Sequence, residues 1–93
     1  MEISQDVLAR YAGDAAREVD GVHALAKHRA VRVTVADDGA LSVEVHVLLE
    51  WGAAFGEVGT VVQERVAEYL ERMAGRRPTR VDVFVADVGP VRA

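Results

Sequence analysis

The chain contains no cysteine. Disulfides, thiolate metal sites and thiol catalysis are therefore excluded together. Lysine is nearly missing as well, with Lys27 alone among 11 basic residues. The other basic residues are arginines, a bias that suits a GC-rich genome such as an actinobacterium's. Aliphatic runs stop at two or three residues, as in Val47-Leu48-Leu49, far short of the roughly 20 apolar residues that cross a bilayer as a helix. The opening Met1-Glu2-Ile3-Ser4-Gln5-Asp6 is acidic and polar, unlike a secretory signal. No excess of positive charge exists either: 15 acids outnumber the bases, for a net charge of −4, which weighs against a surface built for nucleic-acid phosphates. What is present is a 93-residue chain, 51% hydrophobic and 28% charged. That composition excludes wholesale disorder and allows one domain over residues 1–93.

Apolar periodicity divides the chain into elements. From Ile3 to Val19, Val7, Leu8, Tyr11, Ala12, Ala15 and Val19 recur at steps of three and four, the stripe of an amphipathic helix. Ser4 suits its N-cap, Asp6 its first turn, and Gly21 the position just past its end. The period then changes to two. Val31, Val33 and Val35 alternate with Arg32 and Thr34, and Leu41, Val43, Val45, Val47 and Leu49 alternate with polar partners and Leu48. Asp38-Gly39 between the runs suits a tight hairpin. A second helix is predicted from about Glu57 to Met73, stopped by Gly75 and Pro78, and a third strand from Thr79 to Val88. The expected order is α-β-β-α-β. A right-handed crossover makes the third strand parallel to the second. The fold class is α+β: two layers, with both helices on one face of a three-stranded mixed sheet.

Chemistry-bearing patterns are scarce. His23, His28 and His46 have no metal-ligand spacing, and a zinc site built from them with Glu44 or Glu50 is weaker than three solvent-facing or edge histidines. No structural or catalytic metal and no cofactor is expected. Asp37, Asp38, Glu64, Glu68 and Glu71 sit on a turn and a solvated helix face, where general acid–base work has no cleft. Gly52, Gly56 and Gly59 lack the lysine and hydroxyl of a phosphate loop. Arg76-Arg77 follows a helix C-terminus, where cations offset the dipole. Trp51, the only tryptophan, ends the second strand; its expected role is to cover the edge of the core, the other being to anchor a partner.

Several segments together resemble the alkaline shock protein family, also called the envelope stress response family of Gram-positive bacteria. They are Ile3-Ser4, Val7, Ala12 and Ala15 with Glu18-Val19-Asp20-Gly21-Val22; the alternating valines ending in Trp51-Gly52; Val58, Val62-Gln63 and Val66; and Val81, Val83, Val85 and Val88. The likeness runs from Ile3 to Val88. Two departures stand out. Ala53-Ala54-Phe55-Gly56 has no proline before the second helix, and Val22 to Ala30 is short and lacks the family's glycines. The resemblance implies a non-enzymatic, abundant cytoplasmic protein held beneath the membrane by a membrane-anchored partner, tied to envelope stress and in some members self-assembling. It implies no catalytic residue.

The reading from sequence is therefore a scaffold or adaptor that acts by protein–protein contact without inserting in the membrane. A small RNA-binding module is the alternative, against which stand the acidity and the lack of a G-x-x-G clamp or an exposed aromatic platform. The sheet face turned from the helices is expected to carry Leu48 and Phe84. Arg32, Glu44, Arg80 and Asp82 would rim them, Ala86 would share the face, and a twofold dimer would form there. Trp51 completes the candidate contact residues.

Overall fold

The computed structural model describes residues 3–89. Its elements are α1 (Gln5–Arg17), β1 (Val22–Leu25), β2 (Val31–Val35), β3 (Leu41–Glu50), α2 (Phe55–Ala74) and β4 (Arg80–Gly89). The two predicted helices, the hairpin and the last strand are all present, with ends moved by one or two residues. Ser4 caps α1 as expected, its hydroxyl accepting from the Val7 amide at 3.2 Å. Gly75 closes α2 in the left-handed region at φ 67°, a conformation that costs glycine little. Gly21 does not end α1, whose C-cap is Glu18. It instead takes φ 96° in the turn into β1.

The sheet has one strand more than expected. β1 and β2 lie end to end along the same edge of β3, both antiparallel to it: Val22–Leu25 opposite Leu49–Val47, and Val31–Val35 opposite Val45–Leu41. Between them Lys27-His28-Arg29 loops out, while the amide of Ala26 and the carbonyl of Ala30 both bond to His46. β4 pairs with the other edge of β3 and runs parallel to it, as the crossover rule requires. The β2–β3 connection is a three-residue loop, Asp37-Asp38-Gly39, closed by Ala36 donating to Ala40 at 2.9 Å. Gly39 at φ 87° supplies the left-handed residue that such loops need.

Both neighbours of β3 carry one extra residue at the level of Leu48. On β1 it is His23, between the Val22–Leu49 and Ala24–Leu48 pairs. On β4 it is Ala86, between the Val47–Val85 and Leu48–Asp87 pairs. Strict alternation after Val85 would turn Asp87 toward the helices. The bulge changes the phase, so that Val88 pairs with Leu49 and Asp87 with Leu48.

The core lies between the sheet and the two helices. Leu41, Val43, Val45, Val47 and Leu49 are at most 2% exposed, and they meet Leu8, Ala12 and Ala16 of α1 and Val62, Val66 and Leu70 of α2. Tyr11 and Tyr69 tie the helices edge to face, with ring centroids 5.9 Å apart. Close approach is built in at Gly13, where a Cβ would sit 3.1 Å from Leu25 Cδ1. No polar or charged side chain is buried among the described residues.

Candidate protein-contact face

Since the helices occupy one face of the sheet, the other is open. The register arranges its side chains in rows across β2, β3 and β4. Thr34, Ser42 and Arg80 form the first row, and Arg32, Glu44 and Asp82 the second. His46 and Phe84 form the third; Ala24, Leu48 and Asp87 form the fourth. Ala86, expected on this face, is the bulged residue, and Asp87 takes its place. The phase change that keeps a carboxylate out of the core delivers it here.

Phe84 is 44% exposed. Its ring stacks on the imidazole of His46, with centroids 4.8 Å apart and planes 17° from parallel. Sequence reasoning missed this pair, because only the parallel register of β3 and β4 makes the two neighbours. His46 Nε2 lies 3.9 Å from the Glu44 carboxylate, and Arg80 Nε lies 2.8 Å from that of Asp82. The charges do not ring Leu48 and Phe84. Arg32, Glu44, Arg80 and Asp82 lie together on one side of the aromatic pair, toward the start of β3, and Asp87 lies on the other. Leu48 is half-buried one row beyond His46.

Trp51 lies elsewhere and does not cover the core. It sits in the turn after β3 with 74% of its surface exposed. The turn bonds its backbone at both ends, Trp51 N to Gly89 O and Ala53 N to Glu50 O, and leaves the indole in solvent. The histidines are separated: His28 is exposed on the looped-out segment, and His23 lies against Gly89, where a Cβ would come within 2.4 Å of its ring. Among the described residues no three histidine, aspartate or glutamate side chains approach closely enough to share a metal ion. No described helix is long and apolar enough to cross a membrane.

Comparison with known proteins agrees with this architecture. Solved structures of the MamM CTD share the fold. A single-substitution variant superposes with a TM-score of 0.70 at 13% identity, covering 99% of this chain and all of that one. A manganese form gives 0.67 at 15% identity, covering 90% and 99%. At such identities the likeness concerns the fold alone. Among curated proteins, Spy1614 of Streptococcus pyogenes is 29% identical over 95% of this chain and 86% of its own length. YqhY of Bacillus subtilis is 25% identical over 95% of this chain and 76% of its own. A family profile matches residues 27–90, more than half of the chain, and its description gives a cell envelope-related function. The chain belongs to the alkaline shock protein 23 family.

Proposed function

We propose that the protein is a non-enzymatic scaffold of the cell envelope response, working beneath the membrane by contact with itself and with a membrane-anchored partner. The observation that carries this reading is the exposed Phe84–His46 stack on a sheet face that no helix covers. Aromatic rings left in solvent beside charged residues have the composition of a contact patch, with an apolar centre and a polar margin. A twofold stack of two such faces removes Phe84 and Leu48 from water in both copies. Both side chains are already partly buried in the monomer, so each contributes less than the roughly 1.5–3 kcal/mol of a fully exposed one, and a weak dimer, micromolar or looser, is expected. Of the two arginines on the early rows, Arg80 is held by Asp82, which leaves Arg32 to face Asp87 on the last row of another copy. An antiparallel twofold brings these ends together.

An RNA-binding reading gains nothing from the same face. Glu44, Asp82 and Asp87 outnumber Arg32 and Arg80 around the aromatic pair, so the face offers no net positive charge to a phosphate backbone. Sedimentation of the wild type beside Phe84→Asp tests the proposal. The wild type is expected to gain mass toward a dimer through the micromolar range, and the variant to remain a folded monomer. Equal masses for the two at every concentration would sink the sheet-face dimer.

A further inference from the structure

A second surface lies at the opposite end of β3 from the hairpin loop. Trp51-Gly52-Ala53-Ala54-Phe55-Gly56 is a run of six residues with no charge. It carries two exposed aromatics, Trp51 at 74% and Phe55 at 45%. Beside it a groove of about 320 Å³ runs between the end of α1 and the start of α2, lined by Val19, Val58 and Val61, by Glu18, Asp20 and Glu57, and by Arg65. The loop leads directly into Glu57 and Val58, which line the groove. A Cβ on Gly21 would meet Val58 Cγ2 at 2.7 Å and Ala53 Cβ at 3.7 Å. Phe55 precedes Val58 by three residues, which puts the two on neighbouring positions of one helix face. Glu18, Asp20 and Glu57 form no ion pair with any described residue.

We infer that this corner binds a cationic amphipathic segment of a partner protein, its apolar side chains against Trp51, Phe55 and the valine groove and its lysines or arginines toward Glu18, Asp20 and Glu57. Charge selects the occupant. An acidic segment or an anionic lipid surface meets three carboxylates, with Arg65 the counter-charge lining the same groove. A wholly apolar occupant leaves those carboxylates desolvated and unpaired. Exposed aromatic side chains, tryptophan above all, are the usual anchors of such contacts. The inference rests on the scaffold reading only in taking the occupant to be a protein segment. It uses none of the residues of the open sheet face.

Trp51 is the chain's single tryptophan, so its fluorescence reports on this corner alone. The probes are a tryptophan-free amphipathic helical peptide of leucine and lysine, the same peptide with glutamate for lysine, and vesicles of anionic lipid. The cationic peptide is expected to shift Trp51 emission to the blue with saturable, salt-sensitive binding, and the acidic peptide to leave it unchanged. Asp20→Lys with Glu57→Lys is expected to weaken the cationic peptide about tenfold or more, the scale of losing several exposed charge contacts at once. Phe55→Ser is expected to weaken it as well, and Asp37→Lys, at the other end of the sheet, to leave it alone. Phe84→Asp is expected to bind the peptide as the wild type does, so that the dimer and the corner fail or stand separately. The inference is overturned if both peptides act alike, if Asp37→Lys matches the double reversal, if Phe84→Asp abolishes binding, or if anionic vesicles shift the emission where the cationic peptide does not.

Discussion

Trp51 shows how little residue type says about placement. As the only tryptophan, at a strand end, it is expected in the core's edge; it stands instead 74% exposed, in the turn that follows β3. Leu70, unremarkable in sequence, is fully buried in α2. The two positions should separate cleanly in urea denaturation. Trp51→Ala is expected to change stability by less than about 0.5 kcal/mol, as surface substitutions do. Leu70→Ala is expected to cost about 2–5 kcal/mol through lost burial and a residual cavity. A loss at Trp51 comparable with that at Leu70 would return the indole to the core. The alternating valines of β3 were legible for a different reason. Each faces the helices through a period of two that no other structure reproduces, and their burial follows from it.

At the scale of elements, the helices differ in how they begin. α1 has Ser4 accepting from the Val7 amide, while α2 begins at Ala54, whose extended backbone is that of an N-cap but whose side chain bonds to nothing. Ser4→Ala is therefore expected to lower stability by about 1 kcal/mol, and Ala54→Ser to raise it by about 0.5–1 kcal/mol. Opposite shifts in melting temperature for the two variants are the check. The unexpected element, β1, was hidden by its own irregularity. His23 is an extra residue in a strand of four, so Val22, Ala24 and Leu25 do not alternate. A strand that short with a bulge inside it has no period to detect. In β4 the same device acts the other way. Alternation runs cleanly through Val85, and nothing local announces that Ala86 will bulge to bring Val88 into line with Leu49.

The whole molecule presents three surfaces of different chemistry: helix backs that are balanced in charge on α1 and acid-rich on α2, an open sheet face with a stacked aromatic pair, and an aromatic corner beside an acidic groove. None is basic enough to hold an anionic bilayer. The basic residues are scattered, and on α1 Arg10 and Arg17 are balanced by Asp6 and Asp14, with Arg17 and Asp14 ion-paired. Purified protein is accordingly expected not to float with anionic vesicles, and to do so only when a membrane-anchored partner is supplied. Flotation without a partner, lost in high salt, would overturn that expectation.

The sequence by itself determined the two helices, the hairpin, the last strand and the layer they make, because amphipathic period is a local property that the core only has to accept. It also carried the family, through residues spread from Ile3 to Val88. The tertiary structure alone decided what lies beside what. The stacking of His46 on Phe84 and the seating of Asp87 next to Leu48 depend on the register between β3 and β4, joined through a 20-residue helix. The meeting of Gly21 with Val58 and Ala53 depends on how α1 and α2 lie over the sheet. Contacts of this kind are set by packing between distant segments, and no window of the sequence contains both partners.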